Sequence, residues 1–557
     1  MNEQQHPVGL VRDTSELEHR QQLGEATSQI RYVSQGHCLV IGALDQALEA
    51  GARLSGNTYT VVSIDANASH PHRQLTEDGV AVFTVPRLAL SGHLGAYRAL
   101  VPANSGDPDS ALDIGVSVYR ESGLFDVVLD LSESPVLSMR LPPFGYVHAT
   151  SEQAIVDAIQ TLGDLQGEFE KPRYFNYSAG LCAHSRSALD GCSRCIESCA
   201  TGAITPSGDG ISVDPFLCQG CGSCATVCPS GAMTYAYPRP ADAIERTRRL
   251  LKEQGRRTIL LHTEGTESAV QQAIFPDEVL PLLVEEVSAF GPDYWLAMLA
   301  ASAPSVVVVL DAPEDDPNRQ ALEAQLHWLR PLLAALGIRD FPVQLVSSAE
   351  LGAWLDGQRA QQASTPSPLD TLTPGYFSTH NDKRQTIRLA LDTLWEHAGS
   401  ASSAVALPEG APFGQIKVDT QACTLCMACV STCPASALQD GQESPALRFV
   451  ESNCLQCGLC EAACPESAIT LEARYTWDSV AARRVETLHE EQPFHCLRCH
   501  TAFTTQAMID NMSEKLAGHW MFQDEKARRR LRLCGDCRVR DMFEEDAGGI
   551  EVHQDRG

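Results

Sequence analysis

The sequence predicts a multidomain protein of α/β plus α+β class, with α/β domains before and between small cysteine-rich modules. Three observations predict it. The chain has 557 residues, which at about 100–200 residues per domain means several separate cores. Its 21 cysteines fall into three dense groups, and the short fixed spacings within each mark compact metal-binding folds. Between the groups, apolar runs of strand length alternate with helical stretches, the pattern of a parallel sheet covered by helices. A hydrophobic fraction of 43% with 20% charged residues excludes wholesale disorder. The formal net charge of −29 repels phosphate, so no nucleic-acid partner is expected.

Residues 1–29 are polar and are expected to form a flexible N-terminus. An α/β domain of unknown role is expected over 30–170, with strands at 38–41, 59–64 and 125–131 and helices at 44–54 and 152–165. Cys38 stands alone on the first of these strands and reads as a small buried hydrophobe. The phrase LPPFGYVHA at 141–149 is a proline–aromatic turn, expected to be an ordinary packed connection, with a docking loop as the alternative. The N-terminus has no basic stretch followed by an apolar one and no twin arginine. The most apolar stretch, 296–310, is broken by Ser302, Pro304 and Ser305 and is too short to cross about 30 Å of hydrocarbon. The expectation is no membrane span and a cytoplasmic location, where thiols stay reduced and clustered cysteines serve as metal ligands.

The first group lies in a module expected over 171–239. It comprises Cys182, Cys192, Cys195, Cys199, Cys218, Cys221, Cys224 and Cys228. Its second half, CQGCGSCATVCP at 218–229, is C-x2-C-x2-C-x3-C-P, a run that holds a [4Fe–4S] cluster. Closely spaced thiolates wrap such a cluster, and small residues between them let backbone N–H groups approach its sulfides. The first half is irregular: nine residues separate Cys182 from Cys192, and Ala200 stands where proline would follow Cys199. The gap reads as a loop insertion that still delivers the first ligand.

The second group lies in a module over 401–475 and is regular. CTLCMACVSTCP at 423–434 and CLQCGLCEAACP at 454–465 supply Cys423, Cys426, Cys429, Cys433, Cys454, Cys457, Cys460 and Cys464. A short phrase follows each fourth cysteine: ATGAI, PSGAM, PASAL and PESAI. Its closing residue (Ile204, Met233, Leu438 or Ile469) is expected to pack over a cluster. The runs 211–213 and 447–450 are β-like, as in hairpins flanking such clusters.

Residues 240–358, between the modules, read as a small doubly wound α/β domain. Strands are expected at 258–263, 279–284, 305–310 and 343–347, and helices at 266–273, 293–301, 319–336 and 349–355. The continuous apolar run 306–310 suits a parallel strand covered on both faces. No G-x-G-x-x-G follows any strand and no G-x-x-x-x-G-K-[ST] occurs, so nucleotide and flavin binding have no sequence support. Residues 359–400 hold a linker rich in Gln, Ser, Thr and Pro and then a helix at 384–397.

The third group closes the chain in a tail over 476–557. Cys496 and Cys499 form one C-x2-C knuckle, and Cys534 and Cys537 a second, 34 residues further on. Four thiolates in a tetrahedron make a closed, zinc-ribbon-like structural Zn site. A rubredoxin-like iron is the second reading. Covalent haem is the third, because CLRCH at 496–500 matches C-x-x-C-H, but it leaves Cys534 and Cys537 unused. The stretch 503–530 reads as one or two helices, with Met508, Ile509, Met512, Leu516 and Met521 available for packing. From 526 to 540 the sign of the charge reverses: Lys526, Arg528, Arg529, Arg530, Arg532, Arg538 and Arg540 face one acid, Asp536. This is either a solvated face that offsets the four thiolates or a surface that steers an acidic partner.

The paired runs resemble the bacterial two-[4Fe–4S] ferredoxin domain over roughly 180–235 and 415–472. In that domain the fourth cysteine of each run ligates the other cluster. The resemblance therefore implies four ligand sets. Cys182, Cys192 and Cys195 would join Cys228, and Cys218, Cys221 and Cys224 would join Cys199. Cys423, Cys426 and Cys429 would join Cys464, and Cys454, Cys457 and Cys460 would join Cys433. The whole order adds CAHSRSALDGCSRC, the α/β insert and the CLRCH…GHWMF…RRLRLCGDC tail. It is similar to the large iron–sulfur cluster-binding proteins encoded beside formate dehydrogenases in proteobacteria. The insert phrase VLPLLVEEVSAFGPDYWLAMLAASAPSVVVV distantly resembles the small electron-transfer subunit of methanogen hydrogenase and heterodisulfide reductase assemblies. That subunit's cluster cysteines are absent, because the insert contains no Cys.

These resemblances imply an electron-transfer protein with four [4Fe–4S] clusters and no catalytic residues. It would exchange single electrons with a protein redox partner, formate dehydrogenase being the implied one. No H-E-x-x-H or G-x-S-x-G occurs to suggest hydrolytic chemistry. The alternatives are an assembly or maturation factor for a metalloenzyme such as formate dehydrogenase, and a flavin-containing oxidoreductase subunit.

Overall fold

A computed structural model describes residues 28–547 apart from 55, 103–110, 120–122, 339, 362–367, 376, 379–381, 400–402 and 443. Most of the expected flexible terminus, 1–27, lies outside the described residues. Gln29 already opens a strand, Gln29–Ser34, which pairs antiparallel with Gly167–Pro172.

Short β-branched and apolar runs build the N-terminal sheet. Its order is Tyr146–His148, Val127–Asp130, His37–Ile41, Thr58–Ile64, Ala81–Val85, all parallel, with His72–Leu75 antiparallel at the edge. The first of the parallel strands sits in the middle, so chain order reverses there, as in doubly wound folds. Helices Leu44–Ala52 and Glu152–Gly163 cover one face through Ala47, Ala50, Ile155, Ala158 and Leu162. Tyr97, Ala99, Ile114 and Phe125 close the other face. Cys38 is fully buried at the sheet centre, and burial pushes its thiol up to about 12.

The 141–149 turn reaches beyond its own domain. Leu141 N–H donates to Ala200 O at 3.2 Å, and Gln219 Nε2 donates to Pro142 O at 2.6 Å. Lys171 Nζ donates to Phe216 O and Cys218 O at 3.0 and 2.5 Å. These contacts pack the turn against the first cysteine-rich module of the same chain, as the expected packed connection would.

The insert carries a four-stranded parallel sheet in the order Val279–Leu283, Thr258–His262, Val306–Val309, Val343–Val346. Side chains alternate between its faces with period two. Ile259, Leu261, Val306 and Val308 enter one core, while Leu260, Val307 and Val309 enter another. Helices Pro292–Ala300 and Pro317–Ala335 cover the first core, each with proline in its first turn, where no N–H is missed.

That first core crosses the expected domain boundaries. Helix Lys383–Ala398 buries Ile387, Ala390, Leu391 and Leu394 in it, and Phe413, Tyr475 and Trp477 enter from the second module. Trp328, Phe413, Tyr475 and Trp477 form a continuous series of edge-to-face rings, with centroids 5.8, 5.3 and 5.0 Å apart. The second module's strand Ile469–Thr476 runs past the expected boundary at 475. A separate small sheet of the module, Leu438–Asp440 with Ala446–Phe449, takes Glu486–Glu490 from the tail side. Among the described residues no helix is long and apolar enough to cross a membrane.

Candidate metal centres

The three regular cysteine runs share one backbone course. The second residue after the first cysteine is left-handed in each: Gly220, Leu425 and Gln456, with φ of 85°, 54° and 52°. So is the fourth: Gly222, Met427 and Gly458, with φ of 81°, 60° and 85°. A left-handed conformation costs a Leu, Met or Gln something, and here it turns the loop around the space that the thiols face. The four trailing phrases agree as well. Their third residues, Gly202, Gly231, Ser436 and Ser467, all have φ between 49° and 63° or at 74°. This turn sends the chain back so that Ile204, Met233, Leu438 and Ile469 are buried against the module interiors. The irregular first run departs from the pattern at Ser193, whose φ is −110°.

The thiols gather across runs. In the second module one cavity is lined by Cys423, Cys426, Cys429 and Cys464, together with Leu447 and Ile469. A second cavity is lined by Cys433, Cys454, Cys457 and Cys460, together with Leu438, Phe449 and Leu459. Backbone N–H groups point at sulfur: Ala468 donates to Cys464 Sγ at 3.2 Å, and Met233 to Cys228 Sγ at 3.4 Å. In the first module burial, and then the neighbours Cys228, Cys192 and Cys182, push the Cys195 thiol up to about 12. Burial, and then Cys199 and Cys218, push Cys221 up to about 12. Four crowded thiolates repel one another unless a metal takes up their charge. Apolar walls, four sulfurs per cavity and N–H donors aimed at sulfur together fit a [4Fe–4S] cluster.

The insertion between Cys182 and Cys192 forms a small hairpin, Ser185–Arg186 with Leu189–Asp190. Its turn residues Ser187 and Ala188 both have positive φ, 53° and 62°, the handedness that two-residue hairpin turns require. The hairpin leads into Gly191, which lies against the second module: a Cβ there would fall 2.8 Å from Leu459 Cγ and 2.5 Å from Ala183 O.

In the tail, Cys496, Cys499, Cys534 and Cys537 present sulfur atoms all within 4.8 Å of one another. Cys499 and Cys534 are 3.6 Å apart. A tetrahedral ion with metal–sulfur bonds of about 2.3 Å needs edges of about 3.8 Å, so the set fits a single ion. Cys496 and Cys499 thus belong with Cys534 and Cys537. One knuckle sits on the hairpin Pro493–His495 with Ala502–Thr505, the other at the start of helix Gly535–Ala547. Burial opposes ionisation of Cys496, but N–H groups of Cys499, Cys534 and Arg498 outweigh it and pull the thiol down to about 6. Ile509 is buried as expected, whereas Met521 is 54% exposed. The helix that would have carried Met521 inward ends at Leu516, and Gly518 interrupts its periodicity.

Cations beside the cysteine sets escaped the sequence reading. Lys383 and Arg384 donate to backbone carbonyls of Cys228 and Cys454, and Lys171 to that of Cys218. Only the pair of basic residues at a helix start hinted at the first two, and such pairs are ordinarily solvated.

Two segments match family models that each describe a 4Fe-4S dicluster domain, residues 190–232 and residues 422–469. The first match opens after Cys182, so the irregular cysteine lies outside it. No curated protein matches the chain. The chain thus carries two 4Fe-4S dicluster domains, which supports an iron–sulfur protein of the ferredoxin type.

Proposed function

We propose that the chain holds four [4Fe–4S] clusters and passes single electrons along them to or from a partner oxidoreductase. The ligands would be the four crossed sets that the ferredoxin resemblance implies. When bound, each cluster supplies a one-electron centre. What supports the reading is the order of the sets. Cys224 is an electrostatic neighbour of Cys195, Cys192 of Cys457, and Cys429 of Cys460. The sets therefore run in one line: the Cys218 set, the Cys182 set, the Cys454 set and the Cys423 set. A storage protein has no need of a line; a conductor does.

Anaerobic purification with iron and sulfide assays tests the count. Four clusters give about 16 iron and about 16 sulfide per chain. A reproducible ceiling of about eight of each would mean that one module holds none.

The partner would dock where the line ends. Cys426 of the Cys423 set is exposed, and the tail packs beside it. Thr505 Oγ1 donates to Thr424 O at 3.3 Å, and Lys515 pairs with Glu466 at 2.7 Å. In this reading the tail is a zinc-held platform whose basic face steers an acidic redox protein, for which the resemblance nominates formate dehydrogenase. At least three of the tail's arginines are committed to its own fold, Arg538 among them through Arg530 O and Leu533 O at 3.1 and 3.4 Å. Arg528 donates to Phe522 O and Gln523 O, and Arg530 pairs with Asp541 at 2.7 Å. Arg529 and Arg540 are exposed and better suited to steering. The double variant Arg529→Gln, Arg540→Gln should leave metal content unchanged and slow electron exchange with the partner at low ionic strength. The deficit should vanish near 1 M salt, where the screening length is about 3 Å. Equal rates at low salt would remove the steering role.

A further inference from the structure

Helix Lys383–Ala398 opens with two cations that turn to different modules. Lys383 Nζ donates to Ala225 O, Thr226 O and Cys228 O at 2.6, 2.5 and 3.1 Å. It thereby satisfies carbonyls at the end of the short helix Ser223–Val227 in the first module. The buried Arg384 donates from Nε to Ser452 O at 3.1 Å, from Nη1 to Pro412 O at 2.7 Å, and from Nη2 to Cys454 O, all near or within the second. Successive helical residues diverge by about 100°, so a single turn reaches both modules.

The carbonyls they hold belong to cysteines of the two inner sets. Cys228 gathers with Cys192 and Cys195, and Cys454 with Cys457 and Cys433. These sets face each other at Cys192 and Cys457, where Gly191 meets Leu459. The helix itself cannot drift, because Ile387, Ala390, Leu391 and Leu394 are buried in the core of the α/β insert. Burial disfavours both charges. Asp293 first, and then Cys228 and Cys224, oppose that for Lys383; Arg388 adds to it for Arg384, and Cys454 opposes it. Desolvated cations in such places are retained where a permanent counter-charge sits beside them.

We propose that Lys383 and Arg384 are the positioning residues of the electron step between the two modules: one helix turn fixes the inner clusters relative to each other and sets a cation beside each. This rests on the four-cluster reading above. The step moves one electron from a reduced inner cluster to an oxidised one, and no bond forms or breaks. Lys383 and Arg384, held on the carbonyls of Cys228 and Cys454, favour the extra negative charge of whichever inner cluster is reduced. The α/β insert then has a role as the rigid frame of this junction.

The full chain, purified anaerobically, tests it through Lys383→Gln and Arg384→Gln. Iron content, EPR-monitored redox titrations and the magnetic interaction between inner clusters in the reduced protein are measured together. Lys383→Gln should lower the potential of the first module's inner cluster, and Arg384→Gln that of the second's. Both should weaken the magnetic interaction between them. Unchanged potentials and an unchanged interaction at full iron content overturn the proposal. Should a Gln variant lose iron, Lys383→Arg or Arg384→Lys replaces it, keeping the charge and changing the reach. Full iron with a weakened interaction then supports positioning, and an unchanged interaction overturns it. A wild-type chain that binds only half the expected iron overturns the four-cluster reading instead.

Discussion

Cys464→Ala is expected to destroy the cluster proposed for Cys423, Cys426 and Cys429, and to spare the one proposed for Cys454, Cys457 and Cys460. This is the reverse of what chain proximity suggests, since Cys464 ends the run that begins at Cys454. The reason is geometric: Cys464 lines the same cavity as Cys423, Cys426 and Cys429, with Ile469 beside them. Alanine offers no ligand atom, and the remaining three thiols cannot close the four-ligand set a cubane needs. Iron should fall by about four per chain, and one of the reduced EPR signals should disappear. If the signal of the Cys454 set is lost while that of the Cys423 set persists, the crossed assignment is wrong.

Cys537→Ala should have a comparably large effect confined to the tail. Among the described residues the buried cluster around this centre is Cys496, Leu533 and Cys537, with Phe503 and Cys534 partly covered. So little apolar surface cannot hold the hairpin and helices Gln506–Leu516, Glu525–Arg530 and Gly535–Ala547 together. A structural zinc contributes roughly 10–16 kcal/mol to folding in small metal domains, far more than burial of these few side chains can supply. The variant should lose the zinc proposed for this site, become open to proteolysis within 493–547, and keep the absorbance of the proposed clusters. Acid should mimic it, because protons compete with metal for thiolates, so metal is released as pH falls. Burial and the neighbouring sulfurs push the Cys537 thiol up, so a bound metal would be what keeps it ionised at neutral pH. A protease-resistant tail after metal removal would mean that packing alone suffices.

The parts most legible in the sequence are those where one rule dictates the residues. A cluster fixes the spacing of its cysteines, so the runs could be read directly. Strands covered on both faces need continuous apolar side chains, so Val306–Val309 and its neighbours were evident. Helix Pro240–Gln254 was not, because its buried face includes Thr247 and Arg248 beside Ala243, Ile244 and Leu251, which hides the apolar period. Strand Ala81–Val85 is a run of five residues, too short for periodicity to separate strand from helix. The left-handed Leu425, Met427 and Gln456 carry no sequence signal, since nothing in those side chains requires that conformation. Lys383 and Arg384 were invisible for another reason: their partners lie 155 and 70 positions away, and no local pattern reports a pairing at that distance.

The series of rings from Trp328 to Trp477 bears on how such a chain can be divided or inherited. Ferredoxin-like units are often pictured as beads that genes exchange freely. A fragment opening at 401 would expose Phe413, Tyr475 and Trp477, all at most 1% exposed in the whole chain. At about 1.5–3 kcal/mol per buried apolar side chain, that loss rivals the entire stability of a small domain. The second module cannot, on these terms, be a free-standing cassette. Any piece that keeps these rings covered must include Trp328 and helix Lys383–Ala398, so recombination that moved this module would have to carry the α/β insert with it.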